Sequence, residues 1–395
     1  MAPVKRAAGT LKETVEVVAV GALSQPRVTG SGSSRRFSNP WPEWQEKGLL
    51  DLLKWAWARR GSPSTGGLIN YPRPSPADFA RAFPIAPANY TALASPPGNA
   101  VQATWLGHAS CLVQMEGVNF LTDPIFSQRC SPLQWMGGVK RVVQPALQLD
   151  DPKLPHIHFV VISHNHYDHL DYNSVMQLHK RFGKDLAWYV PLGLSEWFKG
   201  CGVQNVHELG WWQEVQHPGS PLTLACVPAQ HWSSRNGNSD KCKSLWCGWA
   251  VMGAAQRFWF AGDTGYCGVF KEIGQKYGPF DLSAIPIGAY TPQWMLKAQH
   301  VNPSEAVQIH QDVKSQRSFG IHCCTFNLTN EPLDEPPQLL VKEARAVGLS
   351  KNAFVTLQHG GMLQTANGTD LNQPLTMVQG LLDHAVYHNA SCTIE

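Results

Sequence analysis

The sequence predicts an α/β protein in which helices cover β-sheets. Three observations carry this. Short apolar runs bounded by turn residues recur from Val101 onward, stretches of helical periodicity lie between them, and no run approaches the roughly 20 apolar residues needed to cross a bilayer. No internal repeat interrupts the alternation.

Residues 1–36 read as a flexible leader, because Gly30-Ser31-Gly32-Ser33-Ser34-Arg35-Arg36 is linker-like and has nothing to bury. It does not read as a signal peptide: the apolar patch Val15 to Leu23 is short and interrupted by Glu16. From Phe37 the texture turns aromatic and proline-rich, Phe37-Ser38-Asn39-Pro40-Trp41-Pro42-Glu43-Trp44. Residues 48–60 then predict an amphipathic helix. Leu49, Leu50, Leu52, Leu53, Ala56 and Trp57 fall on one arc, with Asp51 and Lys54 opposite. That arc suits packing on the helix's own domain, or a membrane surface with Arg59 and Arg60 at the headgroups. Residues 61–100, rich in Pro, Ser, Gly and Ala, read as a linker or wrapping segment.

The β-rich part begins at Val101. Ala103 to Leu106 and Cys111 to Met115 read as strands, Glu116-Gly117 as a turn, and Val118 to Leu121 as the next strand. Further strands are expected at His158 to Ile162, Leu222 to Val227, Phe258 to Phe260, Leu282 to Ile285 and Phe319 to Ile321. Helices are expected at Tyr172 to Phe182 and Pro303 to Asp312.

Composition excludes some functions. A net charge of +3 with no Lys/Arg-rich run argues against a nucleic-acid partner. The ten cysteines are scattered without a Cys-x-x-Cys pair, and Cys323 and Cys324 are adjacent, which points to free thiols in a reducing, intracellular setting. Fifteen tryptophans suggest surfaces that are apolar on one side and wet on the other, such as a substrate cleft or membrane interface.

Several strands end in a metal-competent residue. Phe159 to Ile162 runs into Ser163-His164-Asn165-His166-Tyr167-Asp168-His169, Leu224 to Pro228 into Gln230-His231, Phe258 to Phe260 into Ala261-Gly262-Asp263, and Phe319 to Ile321 into His322. Three His and one Asp within six residues are hard to explain as core packing, since burying them unpaired leaves several polar groups unsatisfied. Imidazole and carboxylate without clustered Cys suit zinc, manganese or iron. Two such ions need a bridging anion, which Asp263 can supply.

These motifs resemble the metallo-β-lactamase superfamily. Within it, Thr104-Trp105-Leu106-Gly107-His108-Ala109, Leu121-Thr122-Asp123-Pro124-Ile125-Phe126, Ser163 to Ser174, Phe260 to Cys267, Ala284 to Tyr290, Gln299-His300-Val301 and Asn39-Pro40-Trp41-Pro42 resemble the N-acyl-phosphatidylethanolamine-hydrolysing phospholipases D over roughly residues 37–360. The resemblance implies an αββα sandwich with a family-specific segment at 37–100; the leader at 1–36, read as disordered, and the last thirty-odd residues do not follow the family, and the catalytic domain is assigned to 101–395. It implies two zinc ions: one on His164, His166 and His231, the other on Asp168, His169 and His322, with Asp263 bridging. It places Asp263, Asp168 and His322 in catalysis, and Tyr167 and His300 at the substrate phosphate or headgroup. A bridging hydroxide would attack phosphorus, releasing N-acylethanolamine and phosphatidate. The implied location is peripheral on internal membranes (Golgi or early endosome), with a homodimer among the states it admits. The chain departs from the family at Cys323-Cys324, where Trp-Gly is usual, at Ser233 to Gly237, and at Trp135, where Tyr is usual. Two other readings stay open: a lactone- or amide-hydrolysing enzyme with the same ligands, and a catalytically weak membrane-binding protein. A small polar lactone would need no apolar channel.

Overall fold

The computed structural model describes residues 23–59 and 80–365. Two seven-stranded sheets form its centre. The first runs in the order β10-β9-β8-β5-β4-β3-β18 and the second β11-β12-β13-β14-β15-β16-β17. In the first, β3 (Gln102–Gly107), β4 (Ser110–Met115) and β5 (Val118–Thr122) form an antiparallel meander. The parallel strands β8 (Phe159–Val161), β9 (Ala187–Pro191) and β10 (Val206–Leu209) continue it, and β18 (Met362–Gln364) closes the other edge. The second sheet repeats this plan. β11 (Glu214–Gln216), β12 (Thr223–Val227), β13 (Gly248–Met252) and β14 (Arg257–Phe260) are antiparallel; β15 (Phe280–Pro286), β16 (Ser315–Ile321) and β17 (Phe354–Val355) are parallel. Two small hairpins lie outside the sheets: β1 (Arg27–Thr29) with β2 (Arg36–Ser38), and β6 (Arg129–Cys130) with β7 (Val139–Lys140).

Period-two alternation builds the layers. In β8, Phe159 and Val161 enter the core between the sheets, while Val160 enters a second core on the outer face. There it meets Val175 and Leu178 of an outer helix, Tyr172–Phe182, and Phe198 of another, Ser195–Gly200. The outer face of the second sheet is covered by the helices Val269–Lys276 and Pro303–Asp312, through Phe270, Ile273, Val307 and Ile309. The molecule is an αββα sandwich. The helices expected at 172–182 and 303–312 form with those bounds. Each has a cap: Asp171 accepts from Ser174 N, and Asn302 forms a capping box with Glu305.

The tryptophans depart from the expectation. Trp105, Trp188, Trp212, Trp246, Trp249 and Trp259 are fully buried and Trp211 nearly so, which puts seven of the fifteen in the core. Several of their indole N–H groups tie backbone segments together. Trp249 donates to Ile162 O at 2.9 Å, Trp246 to Ala229 O at 2.9 Å and Trp105 to His108 O at 2.8 Å.

From residue 23 on, the leader is part of the fold. Ser24 bonds Glu272, Trp212 Nε1 donates to Ser24 O, and β1 pairs with β2, so the Gly/Ser run at 30–34 is the hairpin turn. Trp41 then stacks on Trp211 at 5.3 Å. The helix α1 (Leu49–Arg59) forms as expected, but its apolar arc faces outward: Leu50 is 81% exposed, Leu53 57% and Trp57 76%. Contact with the protein runs along the helix flank, where the Lys54 ammonium lies 4.9 Å from the Trp294 ring centre. The expectation of an apolar face packed on its own domain is therefore not met by these side chains. No helix among the described residues is long and apolar enough to cross a membrane.

The contrast between core and surface is testable by calorimetry. Trp249→Ala should cost about 3–5 kcal/mol of stability, and Leu50→Ala should change it by no more than about 0.5 kcal/mol.

Candidate metal centre

Six strand ends deliver the centre: His108 after β3, Asp123 after β5, His164 to His169 after β8, His231 after β12, Asp263 after β14 and His322 after β16. Tight backbone turns aim them, with positive φ at His108 (53°), Asp123 (32°) and His322 (58°). Gly262, at φ +64°, has no room for a side chain, since a Cβ there would lie 2.7 Å from Cys247 O and 2.8 Å from Ser163 Cβ. That approach seats Asp263 against the His164 loop.

Among the described residues four overlapping groups of donor atoms result, and two of them contain six of the seven residues expected to hold metal. In one, His164 Nε2 lies 2.8 Å from His166 Nδ1, which lies 3.3 Å from His231 Nε2. In the other, His169 Nε2 and His322 Nε2 each lie 3.4 Å from Asp168 Oδ2 and 3.1 Å from Asp263 Oδ2. Ligand atoms of a tetrahedral zinc site, each about 2.0–2.1 Å from the ion, are about 3.3–3.4 Å apart. The second group matches that spacing. Asp263 Oδ2 is also 4.0 Å from His164 Nε2 and 3.8 Å from His231 Nε2, so one oxygen faces both groups. Asp263 Oδ1 is buried without a hydrogen-bond partner, and His169 Nε2 and His322 Nε2 have only the Asp168 and Asp263 carboxylates beside them. Such orphaned atoms are what a cation would satisfy. These clusters can bind metal.

The outer contacts set the tautomers. Asp123 Oδ2 accepts from His169 Nδ1 at 2.7 Å and from the Ser163 hydroxyl, while Oδ1 takes Ser163 N at 2.7 Å. His169 must then present Nε2 to the centre. His231 Nδ1 donates to Gln299 O at 2.9 Å with the same result, and Asn39 Nδ2 holds His231 O at 2.8 Å. His108 Nε2 donates to Asp168 Oδ2 at 2.9 Å, and its ring lies 4.1 Å from that of His322.

Electrostatics divide the groups. Burial lowers His164 and His231 well below the usual imidazole range, and takes His166 and His300 to about 4. Burial would lower His322 and His169 too, but the Asp263 and Asp168 carboxylates raise His322 to about 9 and His169 well above its ordinary value. Burial likewise opposes ionisation of Asp263 and Asp168, yet neighbouring histidines, His169 foremost, hold both well below the carboxylate range. Without a cation the second group is thus two imidazolium–carboxylate pairs.

Residues 118–323 match the family described as "Beta-lactamase superfamily domain". N-acyl-phosphatidylethanolamine-hydrolyzing phospholipase D 1 of Caenorhabditis elegans is 44% identical over 278 residues, 67% of this chain and 76% of that protein. The chain belongs to the N-acyl-phosphatidylethanolamine-hydrolysing phospholipase D family. The mitochondrial N-acyl-phosphatidylethanolamine-hydrolyzing phospholipase D of Saccharomyces cerevisiae is 36% identical over 260 residues, 64% of this chain and 54% of that protein. Among solved structures, the Ignicoccus hospitalis metallo hydrolase Igni18 superposes with a TM-score of 0.51 at 20% identity, covering 67% of this chain and 98% of its own, which supports the fold. The protein is a metal-dependent hydrolase of the metallo-β-lactamase fold.

All seven residues expected to hold metal converge, and His300 joins them, its Nδ1 3.9 Å from Asp263 Oδ2. Tyr167 instead lies over the Arg235 guanidinium and lines a cavity of about 350 Å³ with Trp197 and Tyr172. Cys323 and Cys324 are buried beside His322, and Cys324 Sγ donates to Leu333 O at 3.3 Å. Trp135 is an exposed side chain. Sequence reasoning assigned no role to Asp123, His108 or Gln299. Asp123 and His108 follow strands like the ligands do, which is the signal that could have marked them. Gln299 acts through its carbonyl and leaves none.

Two outcomes test the centre. Asp123→Asn should weaken metal retention by about 10–100-fold in chelator competition. His322, raised to about 9, is protonated at pH 7 without metal, so a cation must displace that proton. Affinity should therefore rise with pH toward about 9 and flatten above it. Metal titrations at pH 7 in buffers of different ionisation enthalpy should show proton release; heats independent of buffer would contradict this.

Proposed function

We propose that the protein is a zinc-dependent phosphodiesterase of the phospholipase D type, hydrolysing N-acyl-phosphatidylethanolamine to N-acylethanolamine and phosphatidate. One observation carries the reading: a single carboxylate oxygen, Asp263 Oδ2, faces both donor groups in a chain of this family. On it, His164, His166 and His231 would hold one zinc ion and Asp168, His169 and His322 a second, with Asp263 available to both. When bound, the two ions supply positive charge to the phosphodiester oxygens and hydroxide at neutral pH.

The chain's own residues do the rest. Asp123, His108 and the Gln299 carbonyl keep the ligands aimed, so little reorganisation is needed during reaction. His300 is neutral at neutral pH, and its Nδ1 has no hydrogen-bond partner. It is suited to hydrogen-bond the phosphate or headgroup. The Trp232 ring packs edge-on against His166 at 4.5 Å and keeps water from that side. Tyr167 contributes an aromatic wall toward the headgroup. The outward Leu50, Leu53 and Trp57 of α1 suit a lipid surface, consistent with a peripheral protein of internal membranes.

Metal content and N-acylethanolamine release from micellar substrate test this together. Asp263→Asn should lose bound zinc, and its rate should fall by at least about 100-fold, since even outer-sphere partners are worth 10–100-fold. Full zinc and full rate in that variant would remove Asp263 from the bridge. A wild type that opens only lactones would sink the phospholipase reading. Leu50→Asp with Leu53→Asp should reduce co-sedimentation with phospholipid vesicles while leaving folding intact; unchanged binding would take α1 out of the lipid contact.

A further inference from the structure

The loop that carries most of the ligands has a fastening that the chemistry above leaves unused. Arg235 Nη1 donates to Asn165 O at 3.0 Å and to Leu170 O at 2.6 Å. These two carbonyls bracket His166, Tyr167, Asp168 and His169. One –NH2 of a guanidinium has two hydrogens, and here each takes one end of the loop. The guanidinium plane is held between aromatic faces, 4.0 Å from the Tyr167 ring centre and 5.2 Å from that of Trp197.

The arginine is itself anchored from its own backbone. Asp240 accepts from Arg235 N at 2.9 Å, from Asn236 N at 2.8 Å and from Ser234 Oγ at 3.1 Å, which closes the segment 234–240 into a compact loop. That segment begins three residues after His231. Arg235 therefore links the loop after β12, in the second sheet, to the loop after β8, in the first. Burial lowers the Arg235 guanidinium from its ordinary value, so its cation stands in a poorly hydrated place. Asn165 and Leu170 are buried residues, and without the guanidinium their carbonyls would lose this partner.

We infer that Arg235 is a positioning residue for the metal centre, clamping the His166–His169 loop at both ends and seating Tyr167 against its guanidinium. It touches neither a proposed metal ligand side chain nor a reacting atom, and acts through the backbone carbonyls. The inference rests on the metal-centre reading given above, and its test separates the two.

The experiment compares wild type, Arg235→Ala and Arg235→Lys. It measures zinc retention by chelator competition, kcat and KM on micellar N-acyl-phosphatidylethanolamine, and the melting temperature. Arg235→Ala should hold zinc about 10–100-fold more weakly and lose kcat with KM little changed. Added methylguanidinium should restore part of both in this variant and in no other. Arg235→Lys keeps the charge but cannot form the stacked fork, so it should fold and still hold zinc several-fold more weakly. Wild-type zinc affinity in folded Arg235→Ala overturns the proposal, as does a loss confined to KM. If the alanine variant does not fold, wild-type zinc affinity in the lysine variant overturns it. Should the protein cleave no phosphodiester, the zinc competition decides the clamp alone.

Discussion

Asp263 stands 3.1 Å from both His169 and His322, inside a region that excludes water. Burying a carboxylate there is costly unless cations or strong donors surround it. Much of the architecture follows from that requirement. Asp263 and Asp168 keep their charge because His169 and His322 face them, and those histidines keep their orientation because Asp123 and the His108 turn hold the surrounding backbone and rings. In the group of Asp168, His169 and His322 a divalent cation would replace protons already present, so that group would stay close to charge-balanced with or without it. Preorganisation here is electrostatic as much as steric.

The two sheets share the task. The first supplies the His164 to His169 loop and Asp123, the second His231, Asp263 and His322. Each of the two proposed ligand sets draws on both sheets, so the centre depends on their relative placement. Backbone ties secure that placement where it matters. Trp249 reaches across to Ile162 O, and Cys247 N donates to Ser163 O at 2.9 Å, both immediately before the first ligand. Trp249 and the neighbouring Cys247 thus serve the junction between layers. Arg235 adds a polar link of the same kind at the far end of the ligand loop.

The N-terminal segment has a divided role. Asn39 and Trp41 belong to the site's support, through His231 O and the Trp211 ring. The next element, α1, turns Leu50, Leu53 and Trp57 away from the protein. An outward apolar helix thus follows directly on a segment that braces His231, and under the proposed function that helix would meet the lipid surface. That arrangement fits a substrate drawn from a bilayer.

Much of this was legible in the chain by itself. Strand-like runs that end in His or Asp need only short-range pattern to be seen, and the ligand set follows because metal chemistry restricts which residues can serve. Helices 172–182 and 303–312 were readable from local periodicity and caps. Other features depended on contacts between distant segments. Which way the arc of α1 faces is decided by what packs on its flanks, and a helical wheel contains no partner. The roles of Asp123, His108 and the Gln299 carbonyl arise from hydrogen bonds between strand ends far apart in sequence, and Arg235 meets Asn165 and Leu170 across 65 and more residues. The chain alone determined which groups could hold a cation. Tertiary structure decided which nitrogen each imidazole presents and what holds it there, because direction in space is set by packing.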